Sequence, residues 1–163
     1  MEAAHIAALQ RMPIFGGLRA DVLEMLLAGS MTVSKPKGGY FFRENDAAES
    51  LFVIETGRVA ILKPWYAEEH LLSELGPGDC FGEMALMDFF PRSASVKAVE
   101  PTDALEIPIA AIHSLYEKNL EQFAMIQMNL GREVSRRLRQ ADDRLFRLRM
   151  GSPDANEPIG PLT

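Results

Sequence analysis

Phe81-Gly82-Glu83-Met84-Ala85-Leu86-Met87-Asp88-Phe89-Phe90-Pro91-Arg92-Ser93-Ala94-Ser95 is the stretch on which the reading of this chain turns. Gly82 opens a short helical turn and lets backbone approach a ligand closely. The free amides of that turn, from Gly82 through Met84 and Ala85, favour a small anion. Arg92 can then close on the anion with a bidentate, charge-assisted pair, and Ser93 and the backbone around Ala94 add donors. Glu83 only accepts hydrogen bonds when ionised, so it would repel a phosphate but hold a sugar hydroxyl. An anion clamp beside a hydroxyl acceptor suits a nucleotide. Spacing alone leaves a second reading open, a surface Glu83–Arg92 salt bridge with Met84, Leu86 and Met87 as ordinary core.

On both sides of this segment, short apolar runs alternate with turn signals. The runs are Tyr40-Phe41-Phe42, Leu51-Phe52-Val53-Ile54, Val59-Ala60-Ile61-Leu62, Leu71-Leu72, Ser95-Val96-Lys97-Ala98-Val99 and Ala104-Leu105-Glu106-Ile107. Lys37-Gly38-Gly39, Glu44-Asn45-Asp46, Thr56-Gly57-Arg58, Gly76-Pro77-Gly78-Asp79 and Glu100-Pro101-Thr102-Asp103 separate them. Strands this short and regular predict a sandwich or barrel, here a compact roll over about residues 31–107. Two short helices, broken at Pro13-Ile14-Phe15-Gly16-Gly17, precede the roll. After Pro108 the period becomes helical again, predicting a short helix to about Glu117 and a long one over about 119–149. The fold class is thus mainly β with flanking helices, one domain over 1–150. Residues 151–163 read as a flexible tail rich in Pro and Gly.

At 163 residues the chain suits one domain, and its 47% hydrophobic and 25% charged shares are those of a folding globular protein. A net charge of -6 argues against a nucleic-acid surface over most of the molecule. The single cysteine, Cys80, cannot form an internal disulfide. No apolar run is long enough to span a membrane and the N-terminus has no signal-peptide pattern, so a cytoplasmic location and no membrane partner are expected.

The segment from Phe81 to Val96 closely resembles the phosphate-binding cassette of cyclic-nucleotide-binding domains, the family of the catabolite activator protein, protein kinase regulatory subunits and nucleotide-gated channels. That pattern is Phe-Gly-Glu, an aliphatic residue, Ala-Leu, a variable stretch, then Pro-Arg and two small residues leading into a strand. Lys37-Gly38-Gly39, Phe42-Arg43-Glu44-Asn45-Asp46, Leu51-Phe52-Val53-Ile54, Thr56-Gly57-Arg58-Val59 and Leu75-Gly76-Pro77-Gly78-Asp79 fall in family order. The resemblance, covering about Ile14 to Leu145, implies an antiparallel β-roll of jelly-roll-like, double-stranded β-helix form holding a cyclic nucleotide. Glu83 would take the ribose 2′-hydroxyl and Arg92 the exocyclic phosphate oxygens, with Gly82, Ser93 and Ala94 adding polar contacts. There are two departures. Asn45 replaces a common glycine, which asparagine's tolerance of positive φ permits. Asp88-Phe89-Phe90 is bulkier than usual, so Phe89 and Phe90 either pack or shape the pocket mouth.

The resemblance implies cAMP in preference to cGMP, although Ser93 is also where a guanine contact is made. It also implies that the last helix covers the base and supplies dimer contacts. Val134, Leu138, Ala141, Leu145 and Leu148 follow a 4-3-4-3 spacing, the seam of a two-stranded coiled coil. Base contacts are expected near it, from Arg139, Ala141 or Asp142. The alternative is a helix face packed on its own roll. The helix is locally basic, yet no helix-turn-helix pattern follows it, so a DNA-binding domain and a nucleic-acid partner are not expected.

Two other functions compete. A cupin-like metalloenzyme would need clustered histidines, whereas His5, His70 and His113 are dispersed. The other competitor is a Crp-like protein that has lost its ligand response. Cys80 reads as a structural thiol with no base beside it, so no catalysis, metal or cofactor is expected. The expected role is a regulatory sensor whose ligand repositions the C-terminal helix and which acts on a regulated protein partner that the sequence does not name.

Overall fold

The computed structural model describes residues 3–151. The expected tail therefore lies, from Ser152 onward, outside the described residues. Among those residues the chain starts with α1 (Ala3–Gln10), a 3-10 turn at Pro13–Phe15 and α2 (Ala20–Ala28). Eight strands follow: β1 (Met31–Lys35), β2 (Tyr40–Phe42), β3 (Ser50–Thr56), β4 (Val59–Trp65), β5 (Glu68–Leu75), β6 (Cys80–Phe81), β7 (Ser95–Ala98) and β8 (Thr102–Pro108). Helix α3 (Met84–Asp88) interrupts them between β6 and β7, and α4 (Ile109–Lys118) and α5 (Leu120–Arg149) end the chain.

The strands form two antiparallel four-stranded sheets, ordered β1-β8-β3-β6 and β2-β7-β4-β5. This is the mainly β roll with flanking helices that the sequence predicts. Strand β1 escaped the hydrophobic pattern because it is an edge strand paired with β8 alone, and its alternation of apolar and polar residues is half solvated.

β3 shows how one run serves two cores. Successive side chains point to opposite faces of a strand. Leu51 and Val53 face outward with Leu105 and Ile107, into a core filled by Leu9, Phe15, Leu23 and Leu26 of the N-terminal elements and by Ile112, Leu115, Ile126 and Leu130 of the last two helices. Phe52 and Ile54 face inward, against Val59, Leu75, Phe81, Val96 and Ala104. Being buried on both faces, the strand reads as a continuous apolar run rather than an alternation.

Polar groups fix α5 on this frame. Asn119 accepts from the Gln122 N–H at its start. Gln122 Oε1 accepts from Arg19 N at 2.8 Å, and Asn129 Nδ2 donates to Ile14 O and Gly16 O at 3.0 and 2.8 Å. These bonds satisfy backbone groups of the 3-10 turn region that would otherwise be stranded beside a buried helix face.

The β3–β4 turn depends on Gly57, whose φ is 88°. A Cβ there would meet Pro101 O and Thr102 Oγ1 at 2.4 Å and Thr102 Cα at 2.7 Å. Thr102 cannot yield, because its hydroxyl also accepts from Arg58 N and donates to main-chain oxygens. Gly57→Ala should therefore lower the unfolding free energy by at least about 2 kcal/mol. Urea unfolding checks this, and an unchanged midpoint would show that the turn can relax.

Candidate functional site

The cassette is built from the end of β6 through α3 to the start of β7. Gly82 has φ 76°, and its missing side chain matters more than its dihedral. A Cβ would stand 2.5 Å from Arg92 Nη1 and 3.3 Å from Ser50 O. The space is taken by the arginine, which is buried. Arg92 Nη2 donates to Ser50 O at 2.8 Å and Nη1 to Gly82 O at 3.2 Å. Arg92 Nε is buried with no hydrogen-bond partner among the described residues. Burial pulls the guanidinium pKa down, while the carboxylates of Glu106, Asp46 and Glu83 oppose that shift. The backbone is clipped too. Asn45 N donates to Arg92 O at 2.8 Å and Arg92 N to Asp46 O at 2.9 Å. Asn45 holds this turn at φ 71°, the positive value expected of it.

Glu83 is buried as well and pairs with Arg137 of α5 at 2.8 Å, not with Arg92. The surface Glu83–Arg92 salt bridge left open by the sequence is therefore not formed, and Met84 and Met87 are exposed while Leu86 alone of the three joins the core. Arg137 also donates to Cys80 O and lies 3.1 Å from Glu133, which pairs in turn with Arg136. Burial would lower the Arg137 pKa, but Glu83 and the other nearby acids, Cys80, Glu133 and Asp79, outweigh it and raise it. Asp79 is raised by burial, against the pull of the Gly76 N–H and of Arg137.

A cavity of about 780 Å³ lies between the second sheet, the cassette and α5, within the range of small-molecule sites. Gly82, Glu83, Met84, Ala85, Arg92, Ser93 and Ala94 all line it, so the expected site residues are brought together. The roll wall adds Phe42, Ile61, Lys63 and Leu72. Ser93 Oγ is exposed and 3.6 Å from Met84 Sδ. Phe89 and Phe90 are both exposed, which removes the packing reading. Phe90 lines the cavity, and Phe89, in the left-handed region at φ 59°, lies 6.2 Å from the His113 ring.

The long helix runs beside the roll, with Arg144 Nη1 donating to Leu72 O at 3.0 Å. The stripe Val134, Leu138, Ala141, Leu145 and Leu148 lines the cavity. Leu138, Leu145 and Leu148 nevertheless remain 60%, 51% and 46% exposed. Of the three positions expected near a base, Ala141 alone lines the cavity. Asp142 is exposed outside it, and Arg139 lines a separate hollow on the helix with Met128, Gly131, Arg132, Ser135 and Arg136. With 3.6 residues per turn, Arg137, Ala141 and Arg144 share a face that positions 139 and 142 cannot. On α5, Arg137, Gln140 and Arg144 are lining residues that the sequence reading did not assign to the site. Their signal was that same spacing beside the seam Val134, Leu138, Ala141, Leu145 and Leu148.

His5, His70 and His113 sit on α1, β5 and α4, and no group of three or more His, Cys, Asp or Glu among the described residues could hold a metal ion. None of the described helices is long and apolar enough to cross a membrane.

Fold and site together define a β-roll whose cavity holds a buried arginine in its wall and is flanked by a long helix. The family profile of the cyclic nucleotide-binding domain matches residues 32–119, and the chain belongs to that family. It is 33% identical over 131 residues to the cyclic AMP receptor protein of Thermus thermophilus, a match covering 80% of this chain and 59% of that protein. A cyclic nucleotide-binding domain from Methylobacillus flagellatus shares its fold with a TM-score of 0.79 at 23% identity, covering 88% of this chain and 83% of that one. The regulatory domain of Toxoplasma gondii PKA, solved with cAMP, gives a TM-score of 0.63 at 25% identity over 70% of this chain and 45% of that one. The chain spans about three-fifths of the length of the first curated relatives it matches, 59% and 60%.

Cys80 on β6 precedes the cassette and is buried in the outer core with Val53 and Leu105, and burial followed by the charge of Glu83 pushes its thiol pKa up. Alkylation needs the thiolate. Iodoacetamide at pH 8 should leave native Cys80 unmodified over hours and label it within minutes in 6 M guanidinium, read by intact mass. Rapid labelling of the folded protein would contradict this burial.

Proposed function

We propose that this chain is a regulatory sensor that binds cAMP in preference to cGMP and passes binding on through α5. The observation that carries it is the seat of Arg92, a buried guanidinium in the cavity wall that pairs with no carboxylate among the described residues and keeps N–H groups without an acceptor, Nε among them. A cyclic phosphate brings one negative charge and two exocyclic oxygens, which suit that group. Glu83 receives the ribose 2′-hydroxyl. Its carboxylate offers more acceptor sites than Arg137 uses, so the hydroxyl can add without displacing the arginine. Gly82, Met84, Ala85, Ser93 and Ala94 complete the phosphate side, and Ala141 of α5 lies toward the base. Preference for cAMP draws support from the name of the Thermus thermophilus relative and from the nucleotide solved with the Toxoplasma gondii domain.

The coupling runs through Glu83 and Arg137. A ligand that binds better with α5 in one position shifts the helix toward it. The stripe Val134, Leu138, Ala141, Leu145 and Leu148 serves a homodimer at its exposed edge, and a separate regulated protein takes the output. No residue has a catalytic task in this reading. The working location is the cytoplasm, as expected of a receptor for an intracellular messenger.

Calorimetric titration with cAMP and cGMP tests the ligand. Arg92→Ala should weaken cAMP binding by two to four decades, roughly 3–5 kcal/mol, for the loss of two charged hydrogen bonds. Wild-type affinity in that variant, or no binding of either nucleotide to the wild type, would sink the reading. Sedimentation tests the dimer. Leu138→Asp places a charge in the stripe and should shift a dimer to monomer, and an unaltered dimer would place the interface elsewhere.

A further inference from the structure

A clamp works best when its guanidinium is already oriented before the ligand arrives, because ordering a long side chain costs binding free energy. In this chain the orientation comes from outside the cassette. Two carbonyls, Ser50 O and Gly82 O, grip the Nη end of Arg92. Arg92 Cζ lies over the Phe42 ring, 4.0 Å from its centroid, with the Phe52 ring farther off at 5.8 Å. Phe42 is itself held, 5.9 Å from each of Phe52 and Phe81, and it lines the cavity.

The chemistry of this arrangement is selective. A buried cation needs a substitute for water, and an aromatic face supplies one through its quadrupole. A carboxylate in direct contact would supply more, but it would neutralise the charge and occupy the N–H groups that an anion requires. Arg92 forms no ion pair with a carboxylate among the described residues; its contacts are carbonyls, the Ser50 hydroxyl at 3.5 Å and the ring. The ring thus stabilises the cation without competing for its donors.

We propose that Phe42 is a positioning residue for nucleotide binding, whose ring holds the Arg92 guanidinium flat in the cavity wall and leaves Nε for a phosphate oxygen. This rests on the reading that Arg92 receives the phosphate.

The test compares wild type, Phe42→Leu and Phe42→Tyr by two measurements. In cAMP calorimetry Phe42→Leu should bind roughly tenfold more weakly, while Phe42→Tyr, which keeps the ring face, should stay within about threefold of wild type. In ¹H–¹⁵N spectra of the unliganded protein, the Arg92 Nε–H should be shifted by the ring current in wild type and Phe42→Tyr and lose that shift in Phe42→Leu. Wild-type affinity in Phe42→Leu overturns the inference alone. So does an unshifted Arg92 Nε–H in the wild type, which needs no variant to fold. A wild type that binds neither cAMP nor cGMP overturns the proposed function and this inference with it.

Discussion

Gly82 and Arg92 cannot be understood separately. The guanidinium occupies the space where a side chain at position 82 would begin, 2.5 Å from that missing Cβ, and it is bonded to the carbonyls of Gly82 and Ser50. This contact fixes the return of the chain from α3 to β7, and with it the pairing of β7 with both β2 and β4. The turn at Arg43–Asp46 is tied to the same point by two backbone bonds across Asn45, Asp46 and Arg92. One buried cation therefore joins β2, β3, β6 and β7. A buried charge of this kind is a weak source of stability. Its use lies in being available, which is why its partners are neutral.

Glu83, next to Gly82, shows the opposite arrangement. It belongs to a charged cluster with Arg137, Glu133, Arg136 and Asp79, in which every acid faces a guanidinium or a backbone amide. Removing Arg137 would strand the buried Glu83 carboxylate, a loss commonly of about 3–5 kcal/mol. The cluster crosses from the roll to α5, so the helix is held to the cassette by the same carboxylate proposed to read the sugar. Ligand recognition and helix position then share one side chain. No separate relay is needed between them.

The sequence made the roll legible because its central strands are buried and several of its turns carry glycine or asparagine where φ is positive, as at Gly57, Gly78 and Asn45. The cassette was legible through its resemblance to the family pattern over Phe81 to Val96, since a glycine, a glutamate and an arginine at that spacing alone left a salt bridge open. Strand β1 was not, since a half-solvated edge strand leaves little hydrophobic trace. Neither was Arg137. Its role depends on which face of α5 meets the roll, and that face is set by Gln122 and Asn129 bonding to backbone more than a hundred residues earlier. A helix's periodicity defines a stripe but not its azimuth, so the seam was visible while Arg139 and Asp142 could not be distinguished from Ala141.

That stripe carries the remaining physical tension in the molecule. Leu138, Leu145 and Leu148 line the cavity and yet keep about half their surface in water. At about 25 cal/mol per Å² of apolar area, covering them is favourable whether the cover is the face of a base or a second helix. On the proposed reading the two covers would adjoin on the same leucines, so they would not be independent. A base seated against Ala141 and Leu138 would fix the azimuth of α5 and so select the edge it offers to a second copy, and a second copy packed on that edge would fix the roof over the base. Linkage makes the effect reciprocal: by whatever factor the nucleotide strengthens association, association strengthens nucleotide binding.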